Sequence, residues 1–172
     1  MKATEHILIS GGTGFIGKHL IPVLLQQGHH VTVWGRDLAK IHAEFGDTVE
    51  AVSDLANIKR PVNTVINLAG ANIGTSRWSD ANKQRFIASR VNTTRALLTW
   101  AQQQTTPPQR LINGSAIGYY GTDVSQQWQH ICDETSPPQS VFMSQLCSLW
   151  EQAADEFSNI GIEVVKLRLG VV

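Results

Sequence analysis

Three glycines spaced three apart, Gly11, Gly14 and Gly17, follow the apolar run Ile7-Leu8-Ile9 and open an amphipathic stretch. Glycines in that pattern can hold a dinucleotide pyrophosphate. Gly11 permits a tight turn where a side chain would clash. Gly14 lets the main chain approach a phosphate, and Gly17 lets the first helical turn pack against the strand. The free N–H groups at the helix start, with the helix dipole behind them, attract an anion. A second signal follows the run Val31-Thr32-Val33-Trp34. An acidic residue at that strand end would bind the adenosine ribose of NAD. Gly35 stands there instead, and the guanidinium of Arg36 can pair with a 2′-phosphate. The expected cofactor is therefore NADP(H), with NAD second. Asp37 either reaches the ribose or caps the next helix.

The elements that must position these residues alternate. Strand candidates are Ile7–Ile9, Val31–Trp34, Val49–Val52, Thr64–Leu68, Arg110–Asn113 and Ile162–Leu169. The first helix pattern aligns Ile16, Leu20, Leu24 and Gln27, with Phe15 and Val23 beside them, and ends at Gly28. Pro22 lies inside it and costs a backbone hydrogen bond. Ser79 to Gln104 reads as one helix or two. Ser140 to Asn159 reads as another, with Phe142, Leu146, Leu149, Ala153 and Phe157 on one face. Strands alternating with helices predict an α/β fold, a doubly wound parallel sheet in three layers. Ligands bind such a sheet beyond the carboxyl ends of its strands. Gly11–Gly17, Gly35-Arg36, Ala69-Gly70 and Ser115–Gly121 all fall there.

The 172 residues are 42% hydrophobic and 16% charged, which suits one globular domain with a real core. Fourteen basic and fourteen acidic residues cancel, so net charge lends no support to a nucleic-acid surface. The apolar runs are too short for a membrane span, and the amino terminus lacks a signal-peptide shape. Cys132 and Cys147 have no metal-ligand spacing and read as reduced thiols of a cytoplasmic protein. Asp133-Glu134 reads as a solvated pair, His29-His30 as surface residues, and no metal is expected. The chain stops just after an apolar strand at the ligand edge. That predicts an NAD(P)-binding domain over residues 1–172 whose substrate lobe lies in a further segment.

Together these residues resemble the NAD-dependent epimerase/dehydratase family of the extended short-chain dehydrogenase/reductase superfamily. The matching pieces are GGTGFIG at 11–17, INLAG at 66–70, SRVNTT at 89–94, NGSAIGYYG at 113–121 and LRLGVV at 167–172. Ala71-Asn72-Ile73, Arg77-Trp78, Gln145-Leu146-Cys147 and Trp150-Glu151 are closer still to an atypical branch known only as epimerase family proteins.

The resemblance implies roles by position. Gly11, Thr13, Gly14, Phe15, Ile16 and Gly17 would line the pyrophosphate, and Gly35 and Arg36 would meet the adenosine ribose phosphate. Leu68, Ala69 and Gly70 would pack near the adenine-side ribose. Arg90 would face the cofactor, and Val172 would sit near the nicotinamide. It also implies oxidoreductase or isomerase chemistry on a small carbonyl or sugar-like substrate, and helix pairing across a homodimer. The family's usual Ser/Thr, Tyr and Lys, which move a proton while hydride moves to or from nicotinamide, fall here on Ala116, Met143 and Cys147. Ser115, Tyr119 and Tyr120 are the nearest hydroxyls left as catalytic candidates. The loss of the usual trio also opens a non-catalytic reading, an NADP(H)-binding regulator or redox sensor.

Overall fold

The computed structural model describes residues 4–123 and 131–170. Six strands in those residues form one parallel sheet: β1 (His6–Ser10), β2 (His30–Trp34), β3 (Glu50–Val52), β4 (Thr64–Asn67), β5 (Arg110–Ala116) and β6 (Glu163–Leu169). Their spatial order is β3-β2-β1-β4-β5-β6. Between them run α1 (Phe15–Gln26), α2 (Leu38–Phe45), α3 (Asp80–Gln102) and α4 (Phe142–Asp155). The chain order reverses between β1 and β4, which opens a crevice at the carboxyl ends of those two strands.

Period-two alternation divides the sheet's side chains between two apolar layers. Leu8, Val65 and Leu111 face Leu97, Leu98, Ala101, Ala154 and Phe157. Ile7, Ile9, Val31, Val33 and Ile66 pack with Ile21, Ile41 and Phe45 on the opposite layer. Burying one such side chain fully contributes about 1.5–3 kcal/mol.

Several boundaries differ from the sequence reading. Helix α1 stops at Gln26, because Gly28 at φ +84° starts a left-handed cap. The His29 N–H donates to the Leu24 carbonyl and the Gly28 N–H to the Leu25 carbonyl, which closes the helix end. The helix continues through Pro22. Its buried residues are Gly17 and Ile21, whereas Phe15 and Val23 point outward, 64% and 46% exposed. Ile21 enters the core between Leu20 and Leu24, which pack against the same cluster. Strand β4 ends at Asn67, one residue short of Leu68, and β5 runs on to Ala116 rather than stopping at Asn113. Residues 80–102 form a single helix, with the Ser79 hydroxyl accepting from the Asn82 N–H. Helix α4 gives way at Glu156–Ile160 to a tighter 3-10 turn that Gly161 terminates.

Candidate functional site

The glycine loop lies at the mouth of the crevice. Gly11 has φ +75°, and a β-carbon there would stand 2.6 Å from the carbonyl carbon of Leu68. The loop therefore lies directly against the end of β4, and no other residue fits. A β-carbon on Gly17 would overlap the Gly12 carbonyl oxygen and come within 2.6 Å of its carbon. Gly17 thus seats α1 on the loop backbone rather than on the strand. The Gly14 N–H donates to the Gly11 carbonyl at 3.0 Å, and Gly14 caps α1 from an exposed position. The first turn of α1 has no side-chain cap and no acidic residue. Its N–H groups are left to an anion. Phe15 is exposed beside them, with Thr13 and Ile16 half-buried.

The end of β2 offers a cation. Arg36 is exposed and has no hydrogen bond or ion pair to another described residue. The Asp37 carboxylate accepts from the Lys40 N–H at 2.9 Å through Oδ1, so it caps α2. The Gly35 N–H donates to the Val52 carbonyl. Its missing side chain makes room for Ile41, whose Cδ1 would lie 3.1 Å from a β-carbon there.

Beyond β4, Leu68 and Ala69 are half-buried and Gly70 is exposed. The Arg90 guanidinium from α3 covers Gly70, with its carbon 2.7 Å from where a β-carbon would be. Arg90 Nη1 donates to the Ala71 and Phe86 carbonyls, and the guanidinium stands 5.2 Å from the Trp150 ring centre. Val172 lies outside the described residues.

A polar row beneath the crevice escaped the sequence reading. Ser10, Asn67 and Asn113 occupy one register row across β1, β4 and β5, and all are fully buried. The Ser10 hydroxyl donates to Asn67 Oδ1 at 2.6 Å. Asn67 Nδ2 donates to Thr94 Oγ1 at 2.8 Å and to Asn113 Oδ1 at 2.7 Å. The available signal was an asparagine closing both apolar runs, Val65-Ile66-Asn67 and Leu111-Ile112-Asn113.

The three hydroxyl candidates do come together, but around a buried ion pair. Ser115 donates to Glu151 Oε1 at 2.6 Å. Arg168 Nε and Nη2 grip the two Glu151 oxygens at 2.9 and 3.0 Å. Arg168 Nη1 donates to the Tyr120 hydroxyl at 2.9 Å, and the Tyr119 ring lies 3.5 Å from the guanidinium carbon. Burial opposes the charge on Glu151, yet the hydrogen bonds from Arg168 and Ser115 outweigh it and hold the carboxyl below the usual range. Those bonds also keep Arg168 protonated well above its ordinary range. Met143 and Cys147 instead pack toward Gly118, in the turn after β5. Burial pushes the Cys147 thiol up, so it stays protonated at neutral pH. Ala116 carries no hydroxyl. Neither Ala116 nor Met143 has a titratable group, and Cys147 lacks the positive charge of a lysine.

Among the described residues no three His, Cys, Asp or Glu groups cluster as metal ligands. The Asp133 carboxylate is occupied by Thr135 and Ser136 in its own turn. His29 Nδ1 accepts from the Glu5 N–H. No described helix is long and apolar enough to cross a membrane.

The model of the NAD dependent epimerase/dehydratase family matches residues 7–171. The epimerase family protein YfhF of Bacillus subtilis is 34% identical over 170 residues, covering 97% of this chain and 55% of the relative. The epimerase family protein SSP1921 of Staphylococcus saprophyticus is also 34% identical, over 98% and 55%. The chain thus spans about half the length of the curated relatives it matches. A crystal structure of human epimerase family protein SDR39U1 with NADPH superposes with a TM-score of 0.76 at 29% identity, over 95% of this chain and 52% of that one. UDP-glucuronic acid 4-epimerase from Bacillus cereus, solved with UDP-glucuronic acid and NAD, gives 0.73 at 21% identity over 95% and 55%, a likeness of fold alone.

Proposed function

The chain belongs to the NAD-dependent epimerase/dehydratase family, and from that membership we propose that it binds NADP(H) and serves an epimerase- or oxidoreductase-like protein. The substrate would be a small carbonyl or sugar-like molecule. The observation that carries the cofactor reading is the pairing of a glycine cradle with a free cation. Gly11 and Gly17 leave no room for side chains, α1 presents an uncapped N-terminus, and Arg36 at the end of β2 has no partner among the described residues. These residues fit a dinucleotide carrying a 2′-phosphate. Gly35 stands at the strand end where an acid would favour NAD, and the Asp37 carboxylate caps α2 through one of its oxygens. The human relative solved with NADPH points the same way.

When bound, the nicotinamide supplies a hydride donor or acceptor. This chain's own part is to hold the pyrophosphate on the loop, meet the adenosine phosphate with Arg36, and place Arg90 over the β4 end. Fluorescence titration of wild type and Arg36→Ala with NADPH and NADH tests the assignment. Arg36→Ala should weaken NADPH binding ten-fold or more and leave NADH within about two-fold, since one charge-assisted hydrogen bond contributes about 1.5–3 kcal/mol. Equal losses for both nucleotides would sink it.

A second reading, an NADP(H)-binding regulator or redox sensor, is favoured by one observation. The Ser115 hydroxyl donates to Glu151, the Tyr120 oxygen accepts from Arg168, and Met143 and Cys147 pack toward Gly118 in place of a tyrosine and a lysine. NADPH oxidation by the full-length protein against a panel of carbonyl compounds separates the two. Turnover lost in Ser115→Ala or Tyr119→Phe supports the enzyme, and tight binding without turnover on any compound supports the sensor.

A further inference from the structure

At the amino edge of the sheet, opposite the crevice, three side chains form a hydrogen-bonded chain. His6 opens β1, Thr32 lies on β2 and Glu50 opens β3. His6 Nδ1 stands 3.0 Å from the Pro61 carbonyl oxygen, and Nε2 stands 2.8 Å from Thr32 Oγ1. Thr32 Oγ1 in turn stands 2.8 Å from Glu50 Oε2. Each of these three contacts needs a hydrogen between its atoms. Carbonyl and carboxylate oxygens bring none, the threonine hydroxyl brings one, and a neutral imidazole brings one. The chain is therefore one hydrogen short unless it takes up a proton. The imidazole is the place for it, because a free histidine titrates at about 6.5 and a free glutamate at about 4.3. As an imidazolium, His6 donates from both nitrogens and leaves Thr32 to donate to Glu50. His6 is 8% exposed and Thr32 is fully buried, so the two inner contacts are shut off from water.

The charged groups around the chain are engaged elsewhere or lie in solvent. On β1 and its approach, the Glu5 carboxylate accepts from the Thr64 hydroxyl, and the His6 N–H donates to Asn63 Oδ1. On the β2 side, His29 Nδ1 accepts from the Glu5 N–H, and His30, the register partner of His6, is exposed. Asp54, Lys59 and Arg60 lie in the connection that covers this face, and all three are exposed. Asp54 accepts from the Ala56 N–H, and Lys59 donates to the Ala56 carbonyl. The last turns of α3, residues 97–102, carry no titratable side chain. Glu50 is the exposed end of the chain, free to leave it. We infer that His6, Thr32 and Glu50 form a proton-operated switch, in which Thr32 turns its hydroxyl from Glu50 to His6 when the proton leaves. With the proton bound, Nε2 donates to Thr32, and Thr32 ties Glu50 of the edge strand to β1. When water takes the Nε2 proton, the Thr32 hydroxyl rotates and donates to the bare nitrogen. Glu50 then has no donor in the chain, and its carboxylate turns into water. Nδ1 keeps its hydrogen on the Pro61 carbonyl throughout. The switch lies away from the glycine loop and does not rest on the cofactor reading.

Ring-nitrogen NMR of the full chain reads the switch, with the His6 signals identified by their loss in His6→Gln. Glu50→Gln is the deciding variant. Its amide brings the missing hydrogen to Thr32, which frees the Thr32 hydroxyl for a neutral His6. The proton affinity of the His6 ring, taken from its pH titration, should fall about ten-fold in Glu50→Gln, the scale of one charge-assisted hydrogen bond. Glu50→Ala leaves Thr32 only His6 to donate to, and should lower the affinity as far. In the wild type and both variants, Nε2 should be the nitrogen that loses its proton. The difference should persist in sodium chloride at about 1 M, where the screening length is about 3 Å. The amide spectrum away from the site reports that each variant is folded. Equal proton affinity in the wild type and Glu50→Gln overturns the inference, and so does a bare Nδ1. A difference that salt abolishes also overturns it, since that is plain attraction between charges rather than a relay through Thr32.

Discussion

Ser115, Glu151, Arg168 and Tyr120 act as a unit, because each satisfies a polar atom that burial would otherwise strand. Glu151 is 4% exposed, and its partner Arg168 grips both oxygens. Removing one partner leaves an uncompensated buried charge, which costs about 3–5 kcal/mol. Arg168→Leu should therefore lower the thermal midpoint far more than the double change Arg168→Leu, Glu151→Met, which removes both charges. Scanning calorimetry of the two variants decides it. The pair also sets an acid limit. The folded pKa of Glu151 is depressed, so its contribution is complete above the unfolded value near 4.3. That contribution fades as pH falls through the lower folded value. Melts from pH 7 to 3 should show a loss that Glu151→Gln lacks. The sequence made Ser115, Tyr119 and Tyr120 legible as a cluster of hydroxyls near one strand end. It could not show that Ser115 bonds Glu151 while the two tyrosines gather on Arg168. A side chain's partner 36 residues away is a fact of tertiary packing, and no local pattern marks it.

At the scale of elements, glycines that look alike in the sequence do different work. Gly28 has φ +84° with nothing within 4 Å of a β-carbon, so Gly28→Ala meets only backbone strain, about 1–2 kcal/mol. Gly17 lies in the helix, but its β-carbon would overlap the Gly12 backbone. Gly17→Ala should push α1 off the loop and abolish NADPH binding, whereas Gly28→Ala should lower stability and leave the dissociation constant unchanged. Denaturant unfolding paired with NADPH titration measures both. Strand identities and the glycine loop were readable because apolar runs and turn residues are local signals. The face of α1 was readable in part: Leu20 and Leu24 pack on the core as expected, while the fully buried Ile21 lay outside the expected stripe and Phe15 and Val23 turn outward. The row Ser10, Asn67, Asn113 was missed. Each residue looks like a strand end alone, and only strand order places the three side by side.

At the scale of the molecule, the two halves of the sheet divide the labour. The half around β1 to β3 carries the loop and Arg36, and the half around β4 to β6 carries Arg90 on α3 and the ion pair of Glu151 on α4 with Arg168 on β6. A ligand that spans the crevice joins them. Saturation at a hundred times the dissociation constant stabilises the native state by about 2.7 kcal/mol. NADPH at that level should raise the melting midpoint by roughly 5–10 °C for a domain of this size, against less for NADH at equal concentration. No shift with either nucleotide would count against the whole assignment. The strand order has a further consequence, for synthesis on the ribosome. Ser10 finds its Asn67 partner 57 residues later, so the nascent β1 is paired by β2 on one side while its other edge stays bare. That edge is closed only when β4 emerges, and an unpaired strand edge is a template for pairing with other chains. Arrest during the emergence of residues 35–63 thus leaves that edge open to misassembly, a wait that β4 and β5 repeat until residues 110 and 163 emerge.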